Sequence, residues 1–289
     1  FFTNLNWKLT KRLSVSSGIR LTHFSLLGPY DQGTYNKDGF FEGVNTIASN
    51  ESVVSYTNPE PRLGLNYKLG EHSSLKMSYA SIYQYIQNIY NTSTPLPTSR
   101  WKISDSYILP QKNDTYGIGL YKNYPKIGID FSVESYYRNT KNNLTYKPGA
   151  NFFLSEFLEQ EVTQAQGKSY GLEISLRKTT GRVNGFLNYT WSRSQLKTSE
   201  PSLKNRINNN NWFSSDFDRP HTVNATINFE GDSYNSFSFN FTGQTGRPYS
   251  VVNGVYKQEN VTIPIFLFRN NGRLPVYHRL DFSWKRAIF

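Results

Sequence analysis

An odd-even rhythm constrains this chain more than any other feature. In KIGIDFSVESYYR, residues 126–138, Ile127, Ile129, Phe131, Val133 and Tyr137 fall on one parity, and Asp130, Ser132, Glu134, Tyr136 and Arg138 on the other. Only a pleated strand sorts such a pattern onto two faces. At about 3.3 Å per residue the stretch runs about 40 Å, whereas strands usually hold about five or six residues. Ten further segments alternate in the same way, near 1–9, 13–26, 60–69, 73–88, 113–124, 167–178, 182–195, 219–229, 234–244 and 275–285. With 126–140 they make eleven predicted strands.

The connections alternate as well. Short turns rich in Gly, Pro and Thr sit at 10–12, 70–72, 124–126, 179–181 and 231–233, and long polar loops lie near 27–59, 89–112, 141–166, 196–218 and 245–274. One end of the sheet therefore carries tight turns and the other large loops.

Composition decides what the two faces meet. Hydrophobic residues reach only 37 % of the chain while aromatics make 16 %, and no run approaches a membrane helix. A soluble sandwich would bury its apolar parity in its own core and keep its strands short. Here the apolar parity, as in Phe237, Phe239 and Phe241, reads as a surface toward lipid. The other parity carries Arg20, Lys76, Asp130, Glu134, Arg138, Glu173, Arg177, Arg279 and Asp281, which need a wet or protein-filled interior. Backbone in hydrocarbon must be fully paired, so a spanning sheet must close. The predicted fold is all-β, a transmembrane antiparallel up-and-down barrel in which 1–289 form a single segment. Trp7, Tyr85, Tyr189, Trp191 and Trp284 lie toward strand ends, where girdle rings belong, although strands favour aromatics in general.

The absence of cysteine removes disulfides, thiolate metal sites and cysteine nucleophiles. The net charge of +11 raises nucleic acid as a partner, but the basic residues are scattered and no nucleic-acid motif accompanies them, so none is expected. Basic turns and rims suit anionic lipid head groups instead.

The ordered run NPEPRLGLNYKL, SSLKMSYASIYQYIQN, STPLPTSRW, NDTYGIGLYKNY, SYGLEISLRK, FDRPHTVNATINF, TGRPY and RNNGRLPVYHRLDFSW resembles the barrel of a TonB-dependent outer-membrane receptor of the Bacteroidota type, over almost the whole chain. The resemblance implies a larger barrel of 22 strands around a plug, of which this chain supplies a middle and later part. It implies short turns toward the periplasm, long loops outside, and a place in the Gram-negative cell outer membrane among lipid and lipopolysaccharide. It also implies contact with the receptor's own plug and, through it, the TonB complex, and in some relatives with a surface lipoprotein lid or other complex subunits. The implied activity is energised uptake of a scarce nutrient (glycan, peptide or metal chelate) with no enzyme chemistry and no cofactor. The alternative is a receptor-like barrel serving as a structural subunit of a surface complex.

Several constellations invite chemistry. SDFDRPH holds Asp216, Asp218, Arg219 and His221, but no nucleophile sits at a fixed offset. The simpler reading is a loop-to-strand junction with the acids capping the turn and Pro220 starting the strand, and no metal site is assigned. Calcium held by Asp216 and Asp218 is the alternative. Asp130, Glu134 and Arg138, with Glu173 and Arg177 on the next strand, read as a ladder of interior salt bridges rather than a glycosidase pair. Tyr30, Tyr90, Trp101, Trp212 and Phe213 sit in the long loops among amides and hydroxyls, suited to gripping a ligand and equally to packing loops together.

Overall fold

The computed structural model describes residues 1–37, 39–89, 100–150, 155–258 and 261–287. From the N-terminus, β1 (Phe2–Lys8) and β2 (Leu13–Leu27) are followed by a loop hairpin, β3 (Tyr30–Tyr35) and β4 (Phe41–Ile47). The long strands β5 (Ser52–Gly70) and β6 (Ser73–Gln84) lead into a second loop hairpin, β7 (Ile86–Ile89) and β8 (Arg100–Ile103). Next come β9 (Gln111–Tyr124), β10 (Ile129–Tyr146), β11 (Val162–Lys178) and β12 (Val183–Lys197), then the two-residue β13 (Phe213–Ser214). The strands β14 (His221–Glu230) and β15 (Asn235–Gln244) precede three short loop strands and one more, β16 (Pro248–Tyr249), β17 (Gly254–Gln258), β18 (Val261–Ile265) and β19 (Gly272–Arg273). The chain then re-enters the wall as β20 (Tyr277–Arg286).

One antiparallel sheet runs β1-β2-β5-β6-β9-β10-β11-β12-β14-β15-β20, each strand beside its sequence neighbour in the wall, with β13 on the flank of β12. All eleven predicted wall strands are present. The sheet is an unclosed wall, since among the described residues β1 pairs only β2 and β20 pairs only β15. Two boundaries move substantially: β5 begins at Ser52 rather than near 60, and β10 extends to Tyr146 through a bulge between Thr140 and Asn143. The loops hold the remaining strands, too short to show a rhythm. The tight turns form as their sequences direct. Thr10 Oγ1 accepts the Leu13 amide at 2.9 Å, Asp232 Oδ1 accepts the Tyr234 and Asn235 amides at 2.7 Å, and Gly128 and Gly181 supply positive φ.

The register sorts side chains onto two continuous faces. One row reads Tyr67, Leu75, Leu120, Val133, Ile174, Tyr189 and Val223, and another Phe131, Leu176, Leu187, Ala225, Phe241 and Leu280. The opposite face reads Asn66, Lys76, Gly119, Glu134, Glu173, Thr190 and Thr222. On the apolar face, Tyr79, Tyr116, Tyr137 and Tyr170 are mutual partners across four strands, six to eight residues from the short-turn ends, and Trp191 stands eight residues up its own strand. Near the short turns lie Trp7, Tyr124, Phe229 and Trp284, the last stacked on Phe237. Eight residues span about 26 Å of strand before tilt, the scale of the apolar band of an outer-membrane barrel. Tyr85, by contrast, does not join a girdle. The chain bends there, its ring stacks on Phe24 at 4.9 Å and its hydroxyl meets Thr22 at 2.8 Å.

Among the described residues, every buried side chain lies on the loop side of the tyrosine row. A small core of Ile89, Ile108, Tyr146, Leu158 and Val162 gathers there, beneath the loops.

Candidate functional site

Three hollows along the sheet open on its polar face. One of about 640 Å³ near the short turns is lined by Asp130 and Arg177, one of about 370 Å³ by Asn4 and Arg62, and one of about 300 Å³ at the loop end by Asn113 and Arg138. The polar face is therefore the concave one, and the apolar face points away from the hollow.

All nine charges expected on that face are there. Arg20 opposes Glu60, Lys76 opposes Gly119 and through it Glu134, Glu134 opposes Glu173, Asp130 opposes Arg177, and Arg279 and Asp281 oppose Thr242 and Asn240. Arg138 shares the parity and donates to Thr115 Oγ1 at 3.3 Å. The expected ladder of salt bridges, however, does not close within the wall. Ion pairs involving these nine are Arg20 with Glu60 at 4.0 Å and Arg279 with Asp281 at 2.9 Å. Among the described residues Lys76, Asp130, Glu134, Arg138, Glu173 and Arg177 make none. Direct opposition is not sufficient, because paired Cβ atoms point along one normal and these side chains extend into the hollow rather than across the ladder. Lys76 sits over the Tyr121 ring at 4.2 Å and Asp130 accepts from Asn123 at 2.5 Å.

The loops form a cap fastened by buried charge. Lys102 Nζ lies 2.8 Å from Asp105 and 2.9 Å from Glu159, both carboxylates almost fully buried. Tyr30 donates to Asp105 at 3.2 Å, Tyr35 to Glu159 at 3.1 Å, and Tyr56 to the Asp105 carbonyl at 2.7 Å. Three loops thus meet at one ammonium. Burial alone would lower the Lys102 pKa, but the two carboxylates outweigh it and hold the group above the usual lysine range. Burial, opposed by hydrogen bonding and reinforced by the Glu159 charge, pushes the Tyr35 hydroxyl up to about 12.

A second fastening joins the later loops to the wall. Asp218 is buried, accepts the Ser194 amide of β12 at 2.7 Å and pairs with Arg273 at 2.6 Å. The expectation that the acids of SDFDRPH cap a local turn is thus corrected for Asp218: it reaches a neighbouring strand and a distant loop. Asp216 accepts from Asn270 at 2.6 Å, and His221 meets the Tyr189 hydroxyl at 2.9 Å. Among the described residues no group of acids and histidines is disposed to hold a metal. Arg269, buried, stacks on Tyr146 at 3.6 Å and donates to the Tyr146 carbonyl at 2.9 Å.

The loop aromatics separate. Trp101 is exposed at 62 %. Tyr30 is half-buried in the Lys102 network. Phe213 is buried in β13 against β12 and is a packing residue, not a free ring. Trp212 lies under Lys168 Nζ at 4.2 Å, and Lys168 shares the apolar face with Tyr170, so this indole stands on the outside of the wall rather than over its mouth. Tyr90 lies outside the described residues. Sequence reasoning missed Lys102, Glu159, Arg269 and Arg273, because, apart from Asp105 beside Lys102, their partners are 27 or more positions away and carry no local signature. Asp105 alone had one, because its Oδ1 accepts the Tyr107 and Ile108 amides in an Asx turn.

Comparison with known proteins places this geometry. The family model for TonB-dependent receptor-like β-barrels matches residues 1–285. No curated protein matches the sequence. Solved structures with the same fold include the apoprotein of the FrpB iron transporter from Neisseria meningitidis, at 13 % identity and TM-score 0.63, covering 99 % of this chain and 38 % of that one. The ferric-catecholate import receptor Fiu from E. coli K12 aligns at 16 % identity and TM-score 0.60, covering 100 % and 38 %. The ferripyoverdine receptor of Pseudomonas aeruginosa aligns at 12 % identity and TM-score 0.62, covering 100 % and 32 %. The chain spans less than two-fifths of each of these structures.

Proposed function

The chain belongs to the TonB-dependent receptor β-barrel family, and on that premise we propose that it forms part of the wall and outer mouth of a receptor for energised uptake of a scarce nutrient. The observation that carries this reading is the concave face, where Lys76, Asp130, Glu134, Arg138, Glu173 and Arg177 stand without ion-pair partners among the described residues. Charges left so in a hollow call for a polar occupant. A plug held by exchangeable hydrogen bonds and ion pairs is that occupant, since such contacts trade for water at little net cost when the plug is pulled through TonB. The loop cap collects the ligand, with Trp101 as its exposed ring. The solved relatives are named for iron and ferric chelates. That supports a metal chelate as one candidate class beside glycans and peptides.

The test is accumulation of labelled ferric chelates, glycans and oligopeptides by cells carrying the whole receptor, with and without a proton uncoupler. Uptake of one class that the uncoupler abolishes is expected. Uptake indifferent to the uncoupler, or none of any class, overturns the proposal.

A second reading has one observation of its own. The β17–β18 hairpin and the residues after it expose Val255, Tyr256, Leu267 and Phe268, an apolar patch beside the strands. A receptor-like barrel in a stable surface complex, with a lipoprotein lid or another subunit on that patch, would use it. Purification of the whole receptor with a stoichiometric partner, lost when Leu267 and Phe268 are replaced by Ser, is the expected result on this reading.

A further inference from the structure

Above the tyrosine row the outward face changes character within two residues. On β9 the outward positions past Tyr116 are Asp114 and Lys112, on β10 past Tyr137 they are Asn139 and Lys141, on β11 past Tyr170 they are Lys168 and Gln166, and on β12 past Trp191 they are Arg193, Gln195 and Lys197. Five cations thus face outward on four adjacent strands against one carboxylate, Asp114. That acid is already engaged, buried and bound by the Tyr79 hydroxyl at 3.2 Å and by Lys112 at 3.3 Å. Arg193 turns toward Asp218 at 3.6 Å. Lys141, Lys168 and Lys197 have no ion-pair partner among the described residues, and Lys141 stands directly opposite Lys112, a like charge that Asp114 already neutralises in part. The patch is confined to one sector. At the same level β2 and β5 present Ile19, Leu21, Pro61 and Pro59, and β6 presents Ser81 and Tyr83.

Position narrows which anion would suit these lysines. Tyrosine and tryptophan rings mark the boundary between hydrocarbon and head groups. Lys168 stands two residues above that boundary and Lys141 four, about 7 and about 13 Å along their strands, which is head-group depth. The Trp212 indole under Lys168 adds a flat apolar surface with a polar edge at the same depth. We propose that this sector binds the phosphorylated sugar head group of an outer-leaflet glycolipid of the lipid A type. Lys141, Lys168 and Lys197 take its anionic oxygens through charge-assisted hydrogen bonds, and the Trp212 ring and the tyrosine row pack against its sugar and the roots of its acyl chains. The site is on the convex side of the wall, separate from nutrient capture.

The whole receptor in detergent is titrated with bisphosphorylated lipid A and with the same lipid stripped of phosphate, bound lipid being counted by native mass spectrometry. The wild type should hold the phosphorylated lipid at least tenfold more tightly than the stripped one. K141Q/K168Q/K197Q should lose at least tenfold, while K8Q/K11Q/K126Q at the short-turn end should bind as the wild type does. Equal binding of the two lipids, or an outward triple variant that binds like the wild type, overturns the proposal. So does displacement of the lipid by millimolar inorganic phosphate, which would mark an ion site without a glycolipid. Retention of the heat-resistant folded band on a gel checks that the triple variant assembles. If it does not, K141Q and K197Q singly should each weaken binding two- to threefold, and unchanged binding in both overturns the proposal.

Discussion

The wall below the tyrosine row and the cap above it are held together by different physics. Below the row the described residues contain no buried side chain beyond glycine, and the strands are joined by ladder hydrogen bonds, with apolar side chains left for lipid and polar ones left for the interior. Above it lie Asp105, Asp218, Arg269 and the Ile108 core, packed and paired as in a soluble domain. The same β-strands cross from one regime to the other, so the difference belongs to the solvent and not to the secondary structure. In lipid a strand needs only closure and one greasy side. In water it must build a core.

Four perturbations test this contrast. The largest effect is expected for Lys102→Met, which strands Asp105 and Glu159 in a buried site, at about 3–5 kcal/mol. Hydrogen exchange should rise in all three loops that meet there, while the heat-resistant band of the wall persists; exchange confined to one loop would show that the cap is not a unit. Next is Ile174→Lys, midway down the apolar face of β11, expected to cost about 2–4 kcal/mol in reversible unfolding from bilayers. Its neighbour in sequence faces the other way. Glu173→Gln should change that same free energy by less than about 1 kcal/mol, because the side chain is solvated and opposes a like charge. A loss as large as that at Ile174 would refute the assignment of the two faces.

The smallest effect is alkaline. The folded Tyr35 hydroxyl titrates at about 12, above its ordinary value of 10.0. A pKa raised by folding contributes stability that is complete below pH 10 and is lost as pH rises through 12. Protease nicking of the cap should therefore increase across that interval, and Tyr35→Phe should remove that increment, leaving the wall unchanged.

What could be read from the sequence follows the same division. Alternation carries the wall because period two survives wherever one face meets lipid, and it located all eleven strands and placed nine charges on a common side. Arg138 and Glu173 could be assigned to a face without any contact being known. The cap resisted because its contacts are long-range. Nothing near Lys102 announces Glu159, and nothing in NNGR announces that Arg273 will reach Asp218. Trp212 and Phe213 are adjacent, equally aromatic and equally loop-like in sequence. Only pairing with β12 sends one inward to be buried and the other outward to Lys168. The salt-bridge ladder failed for a related reason, since register fixes which side chains share a face and not which of them touch.

One row of the concave face bears on how such a receptor can change. Asn6, Ser16, Gly64, Ser78, Gly117, Tyr136, Gly171 and Ser192 follow one another across eight strands, nearly bare of bulk, and a β-carbon at Gly171 would meet the Trp191 carbonyl at 2.7 Å and the Tyr136 ring at 2.9 Å. Apart from the Tyr136 ring, which a smaller residue would remove, this latitude of the described wall already lies close to its backbone. At its glycines and serines a substitution can only add bulk to the concave face.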